Sequence, residues 1–214
     1  MEQNNPYAAP QVALVDQQSP QQLLGWSAGQ LQVLGWLCLV SLLASLVDLV
    51  LVFVVDEQAD ALRQQGVVAL GLVNTLLGMY VLLRFKGFAE QRFSARGLSL
   101  PVWLSLFFML VLEGLDLAFG DVELAQFGWP MFVYFGLLAM LGGVTLWLGI
   151  RLLQVKDVYP VFRVLAWMEI VGGGLLATIL LMVLAVVPLV GATLCMMLVF
   201  FRAAEELRGQ PAQG

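Results

Sequence analysis

The strongest constraint on this chain is a series of long apolar segments, separated only by short charged or proline-containing stretches. Four of them cover residues 33–55, 66–85, 98–119 and 129–153, and a fifth covers 164–201. An α-helix needs about 20 mostly apolar residues to cross the roughly 30 Å hydrocarbon core of a bilayer. Each of the first four segments therefore predicts one transmembrane helix.

The composition explains why these segments belong in lipid and not in the core of a soluble protein. Of the 214 residues, 61% are hydrophobic and 12% are charged, whereas soluble domains are typically about half apolar and about a quarter charged. We expect an all-α polytopic membrane helix bundle over residues 31–208. A polar tail, 1–30, precedes it, and a short end, 209–214, follows it; both compositions predict disorder.

The segment 164–201 is too long for one transmembrane helix and short for two. Pro188 lies inside it, and Gly191 follows three residues later. Because proline lacks a backbone N–H, we predict a turn at Pro188, with helices of about 20 and about 14 residues on its two sides. The predicted total is six transmembrane helices.

The distribution of basic residues supports six helices and predicts their orientation. With six spans, both termini and the second and fourth loops share one side of the membrane, which holds nine of the ten Lys and Arg residues. Only Arg63 lies opposite. The positive-inside rule predicts that this side is cytoplasmic, so three helical hairpins leave the cytoplasm and return to it. The nine are Arg84, Lys86, Arg92, Arg96, Arg151, Lys156, Arg163, Arg202 and Arg208.

Three carboxylates fall in the outer halves of predicted helices. Asp48 follows Ser41 and Ser45 on one face of the first helix, and Glu113 and Asp116 share a face of the third. Carboxylates at a helix centre cost at least about 2.5 kcal/mol each, and they usually face the bundle interior or a water-filled cavity. Two interpretations stay open: the acids converge on an outward-facing vestibule that attracts cations or basic partners, or they are separately hydrated helix ends.

Further polar residues lie within predicted helices. Glu169 is near the cytoplasmic end of the fifth helix, and we predict an ion pair there with Arg163, Arg151 or Arg202. Asn74 and its neighbour Thr75 lie at mid-depth in the second helix. Side chains of this kind form hydrogen bonds between membrane helices.

Small residues predict a close contact between the fourth and fifth helices. Ala139 with Gly143, and Gly173 with Ala177, have the four-residue spacing that lets membrane helices approach closely. The three consecutive glycines at 172–174 are also compatible with a locally broken helix that exposes backbone groups to a solute. We expect the packing role.

The residue types present make an enzyme unexpected. The chain has no histidine, which is the commonest general base and a frequent metal ligand. It has no G-x-S-x-G motif, the signature of a nucleophile elbow. Cys38 and Cys195 both lie in apolar segments, where a cysteine usually acts as a small buried side chain. We expect no catalytic residues, no cofactor, no metal site and no nucleic-acid partner.

Two short motifs resemble known groups of proteins. Residues 5–10, Asn-Pro-Tyr-Ala-Ala-Pro, resemble a leader on small bacterial multispan membrane proteins of unknown function. That resemblance implies a bacterial inner (cytoplasmic) membrane. Residues 44–48, Ala-Ser-Leu-Val-Asp, resemble the first helix of the RDD family of small membrane proteins, although the arginine that this family carries upstream is missing. Size and span number are also similar to the substrate-capture subunits of vitamin transporters.

Two classes of function follow from these patterns. The first is a non-catalytic accessory or interaction subunit that binds another membrane protein or a second copy of itself, which short loops and small-residue seams favour. The second is a transport or solute- or cation-binding protein with an acidic outer cavity, which Asp48, Glu113 and Asp116 favour. The two differ in whether those side chains line a common cavity.

Overall fold

The computed structural model describes residues 25–54, 61–125 and 127–209, with only the backbone described at 48–49, 52–54, 61–64 and 121–125. The described chain is all-α, and the predicted number of six helices is confirmed. All six are long and apolar enough to cross a membrane. They are α1 (Ala28–Val54), α2 (Ala61–Phe93), α3 (Ser99–Ala125), α4 (Trp129–Leu153), α5 (Pro160–Ala177) and α6 (Met182–Gly209). The predicted disordered ends lie almost wholly outside these residues.

The helix starts follow from local sequence. Ser27 and Gln30 form a reciprocal cap at the start of α1: the Gln30 N–H donates to Ser27 Oγ at 3.1 Å, and the Ser27 N–H donates to Gln30 Oε1 at 3.2 Å. This arrangement satisfies donors that the first helical turn leaves free. Both α4 and α5 carry a proline in their first turn: Pro160 is the first residue of α5, and Pro130 is the second residue of α4. The missing N–H costs no helical hydrogen bond at these positions.

The six helices form a closed ring. Each packs against its neighbours in sequence, and α6 packs against α1. The most extensive contact joins α4 to α5, and the least extensive between neighbours joins α2 to α3. The outside of the ring is apolar, and Trp36, Trp103 and Trp167 each expose more than half of their surface there. Such a surface is suited to lipid.

The predicted turn at Pro188 is wrong in position. The chain turns at residues 178–181, where Ile179 has a φ of 57°, and Pro188 lies buried inside α6. A proline inside a transmembrane helix is tolerated because neighbouring helices and local adjustments satisfy the freed backbone groups. The change of direction comes instead from the left-handed backbone at Ile179. No residue preference in the sequence predicts that conformation at this position.

The second helix is longer than its apolar segment. It continues from residue 85 to Phe93 and converts most of the predicted loop 86–97 into helix. Charged residues support this extension, since Lys86 Nζ lies 3.1 Å from Oε2 of Glu90, one turn further on. Pairs at this spacing stabilise a helix surface by a few tenths of a kcal/mol. Loss of hydropathy therefore marked the edge of the apolar segment and not the end of the helix.

Four helices are joined at one end of the bundle by a polar network that we call the polar end, made of Gln32, Arg92, Tyr159, Glu206 and Arg208. Glu206 Oε2 accepts hydrogen bonds from Arg92 Nη2 at 2.9 Å and from the Tyr159 hydroxyl at 2.6 Å, which ties α6 to α2 and to the start of α5. Arg208 Nη2 donates to Gln32 Oε1 at 2.5 Å, which ties α6 to α1. Burial, together with the bond to Glu206, raises the pKa of Tyr159 to about 12.

Candidate functional site

A cavity of about 260 Å³ lies at the centre of the ring, and all six helices contribute to its wall. Leucine, valine and methionine side chains form most of the lining. A few polar side chains interrupt it, one or two from five of the helices. They are Cys38, Ser41, Ser105, Thr145, Glu169 and Thr193.

An aromatic layer, formed by Phe85, Phe162 and Phe200, lies next to the cavity on the side of the polar end. The Phe85 ring stacks on Phe162 with centroids 5.7 Å apart and meets Phe200 edge-on at 6.1 Å. All three are fully buried. Phe85 and Phe200 lie one helical turn from the lining residues Val81 and Met196. The layer therefore separates the cavity from the polar end.

Among the described side chains, Glu169 on α5 is the one carboxylate that lines this cavity. In the part of the chain that the structure describes, it has no hydrogen bond or ion pair, and the predicted pairing with Arg163, Arg151 or Arg202 is not formed. Arg163 lies six residues before Glu169, which at about 100° per residue is a rotation of about 240° around the helix axis. The two side chains therefore lie on different faces of α5, and Arg163 is exposed. Arg151 instead donates to Gln154 Oε1 at 3.3 Å, and the Arg202 side chain is exposed.

Three hydroxyls, besides that of Ser41, accompany Glu169 in the cavity wall. Ser105 is only 3% exposed, yet neither it nor Thr145 has a hydrogen-bond partner among the described residues. Thr193 Oγ1 donates to the Leu189 carbonyl at 3.1 Å, which leaves its oxygen able to accept. Buried polar groups nearly always have partners. Groups without one in a cavity wall are therefore available to a bound molecule.

Ser41 and Ser45 meet Asn74 at the seam between α1 and α2. Ser41 Oγ donates to Asn74 Oδ1 at 2.9 Å, and Asn74 Nδ2 donates to Ser45 Oγ at 2.8 Å. Ser45 Oγ in turn donates to the Ser41 carbonyl at 2.9 Å. These polar groups satisfy one another, and Ser41 also reaches the cavity wall. The spacing that places the two serines on one face of α1 therefore serves the contact between α1 and α2.

Two of the three outer acids that the sequence suggested, Glu113 and Asp116, lie outside this cavity. Glu113 Oε2 accepts a hydrogen bond of 2.7 Å from Thr75 Oγ1, and neither Glu113 nor Asp116 lines the cavity wall. The side chain of Asp48 lies outside the described residues. Since α1 and α3 each pack on α2, Asn74 links one neighbour while the adjacent Thr75 links the other.

The seam between α4 and α5 differs from its prediction by one residue on α4. Gly173 and Ala177 lie in it, but they meet Gly142: a Cβ there would fall 2.5 Å from the Ala177 nitrogen. A Cβ on Gly143 would meet nothing within 4 Å. Two adjacent glycines differ by about 100° around the helix, so spacing alone did not decide between them. The glycines at 172–174 continue α5 without a break.

Sequence reasoning missed the cavity itself. Its hydroxyls are single residues on separate helices, so no spacing within one segment reveals that they share a space. The available signal was weak: Ser105, Thr145 and Thr193 are each isolated polar residues at mid-depth in an apolar segment.

The described residues contain no group of three or more His, Cys, Asp and Glu side chains that could hold a metal ion. Comparison of the chain with protein-family models, with curated proteins and with solved structures found no match. Function is therefore inferred from the cavity, its polar groups and the surface around it.

Proposed function

We propose that this protein binds a small solute at membrane depth, in the cavity at the centre of the helix ring, as a transport or solute-capture protein. The observation that carries the proposal is a cavity of about 260 Å³ whose wall holds Ser105, Thr145 and Glu169, polar side chains without partners among the described residues. Ligand sites are typically mostly apolar concavities with a few well-placed polar groups. The protein would act without catalysis.

The proposal includes a bacterial inner membrane, three out-and-back hairpins and cytoplasmic termini. Nine of the ten Lys and Arg residues favour this orientation. The polar end would then face the cytoplasm, with the aromatic layer between it and the solute. The solute would accordingly reach the cavity from the outer side or from between the helices.

Acids near the outer side would assist entry of positively charged solutes. Asp48, Glu113 and Asp116 lie in the helix halves away from the polar end. The sequence adds further carboxylates between α1 and α2 and near the end of α3. A surface rich in one sign of charge raises the local concentration of the opposite sign. The vestibule of the sequence prediction becomes, in this proposal, an approach to the central cavity and not the binding site.

Filling the cavity tests the proposed function. Ser105→Phe places an aromatic ring in the cavity. Leu110→Phe is the matched control, because it adds similar bulk on the exposed face of the same helix, where Leu110 is 51% exposed. A small neutral aromatic probe, 2-phenylethanol, should raise the thermal unfolding midpoint of the purified wild type and of Leu110→Phe, because binding only to the folded state stabilises it. Ser105→Phe should not respond. Absence of a wild-type response, or an equal response of both variants, would contradict the proposal.

A second candidate function, the accessory or interaction subunit, is favoured by the outer face of α4. A Cβ on Gly136 or Gly143 would meet nothing within 4 Å, and Gly143 is exposed. Small residues on an outward face let another membrane helix approach closely. The partner would be a second copy or another membrane protein.

Gly143→Leu tests this second candidate, with Gly114→Leu as the matched control on α3, since Gly114 is equally open. In mild detergent, the wild type and Gly114→Leu should cross-link or co-purify with the partner, and Gly143→Leu should not. A wild-type protein that stays a monomer and retains no partner would count against an interaction subunit.

A further inference from the structure

We propose that the solute is a small organic monocation, an amine with an apolar body, and that Glu169 binds its positive charge. This inference rests on the proposed solute-binding function and specifies its substrate class. It joins three observations: the charge of the cavity wall, the volume of the cavity and the partners available to Glu169.

The first observation is the unpaired carboxylate. Glu169 lines a cavity with mainly apolar walls and has no ion pair or hydrogen bond to any described residue. A charged group away from water is costly unless another charge or hydrogen bonds compensate it. No described arginine pairs with Glu169, so the compensating charge would come with the solute.

The second observation is the number of charges and ligand atoms. One carboxylate matches one positive charge. Mg²⁺ and Ca²⁺ take about six to eight oxygen ligands, several of them usually carboxylates. Apart from Glu169, the polar side-chain oxygens that the described residues contribute to the wall are hydroxyls, on Ser41, Ser105, Thr145 and Thr193. The composition of the wall therefore favours an organic monocation over a divalent metal ion.

The third observation is size and surface. An apolar cavity of about 150 Å³ can hold benzene, so a cavity of about 260 Å³ accommodates one ring with a short chain. Met109 and Met196 lie in the wall among leucines, and thioethers make favourable contacts with aromatic rings. The apolar body of the solute would occupy this part of the cavity.

The free hydroxyls fit the same solute. A primary ammonium has three N–H donors, as in a lysine side chain. Glu169 accepts one, and the unpartnered oxygens of Ser105 and Thr145 in the same wall are acceptors for the others. An amine thus satisfies the polar groups that the fold leaves without partners.

The test uses three probes that share one ring and one chain length but differ in charge: 2-phenylethylamine, 2-phenylethanol and phenylacetate. Binding to the purified full-length protein is measured by titration calorimetry and by the rise in thermal unfolding midpoint. The wild type should bind the amine most tightly and phenylacetate least. In Glu169→Gln, affinity for the amine should fall about a hundredfold, the size expected when a buried charge loses its partner, while affinity for the alcohol is retained.

Two further variants make the result specific. Glu205→Gln removes an exposed carboxylate at the end of α6 and should leave all three affinities unchanged. Glu169→Asp keeps the charge but shortens the side chain, and it should keep a preference for amine over alcohol; it also decides the matter if Glu169→Gln does not fold. Equal binding of amine and alcohol by the wild type would overturn the amine assignment and leave the cavity function standing. Binding of no probe would overturn both.

Discussion

Thr75 on α2 donates a hydrogen bond of 2.7 Å from its Oγ1 to Oε2 of Glu113 on α3. These two helices have the least extensive contact of any neighbouring pair in the ring. A polar bond matters more where few apolar side chains meet, because little else resists separation of the helices. The carboxylate that the sequence offered as a binding group is therefore also a structural contact at the weakest seam.

Replacement of Thr75 by Val should destabilise the protein. Valine has nearly the same shape but no hydroxyl, so Glu113 loses its donor while packing is retained. The expected loss is about 1–3 kcal/mol, the cost of leaving a partly buried acceptor without its partner. Unfolding in mixed micelles with increasing SDS measures it.

A double-mutant cycle separates the bond from the rest of the environment. If the bond carries the effect, Thr75→Val should cost much less in a Glu113→Leu background, because the acceptor is already gone. Additive losses in the double variant would show that the two side chains are not coupled.

The contribution of Tyr159 to the stability of the protein should decrease at alkaline pH. Its pKa is raised from 10.0 to about 12, first by burial and then by the hydrogen bond to Glu206. A raised pKa means that the folded state favours the protonated phenol, so this contribution is complete below pH 10 and is lost as the pH rises toward 12. Tyr159→Phe should therefore be less stable than the wild type by about 2 kcal/mol at neutral pH, and the difference should shrink above pH 10.

Thermal unfolding of both proteins across this pH range measures the difference. Tyr80→Phe is the matched control, since Tyr80 is 48% exposed and its change should have little effect at any pH. A difference between wild type and Tyr159→Phe that is constant across the range would contradict the proposed role of the phenol proton.

The turn between α5 and α6 shows what the sequence could and could not predict about the fold. Six helices were predictable because apolar length and basic ends are properties of the chain alone. The position of the turn was not, because Pro188 is the stronger local signal and yet the surrounding helices accommodate it. Ile179, a β-branched residue that disfavours a positive φ, holds that conformation through its context.

Ile179→Asn should stabilise the protein. A left-handed conformation costs an L-residue about 1–2 kcal/mol, and asparagine tolerates it better than a β-branched side chain does. We expect a gain of about 1 kcal/mol in the free energy of unfolding. Leu180→Asn is the control: it lies in the same turn, is 92% exposed and is not among the positive-φ residues. Equal gains from both variants would assign the effect to polarity and not to backbone strain.

Glu169 marks the limit of sequence reasoning about the candidate site. Its neighbours in sequence suggested an ion pair at the inner interface, because Arg163 is close along the chain. Which side of α5 faces the ring is set by contacts with α4 and α6, where Gly172 and Gly173 allow close approach. That rotation turns Glu169 into the cavity. The sequence predicted a carboxylate within the fifth helix. The direction in which its side chain points depends on packing between segments that are far apart in sequence.

Gly142 and Gly143 are adjacent, and alanine at the two positions should have opposite effects. A Cβ on Gly142 would fall 2.5 Å from the Ala177 nitrogen and 2.8 Å from the Gly173 oxygen, and both are backbone atoms that cannot move without shifting α5. Gly142→Ala should therefore cost about 1–3 kcal/mol, the usual cost of overpacking. A Cβ on Gly143 meets nothing within 4 Å, so Gly143→Ala should be neutral or stabilising by up to about 1 kcal/mol, since alanine favours helix over glycine. Unfolding of both variants in mixed micelles measures the contrast, and a loss at Gly143 with none at Gly142 would restore the seam that the sequence predicted.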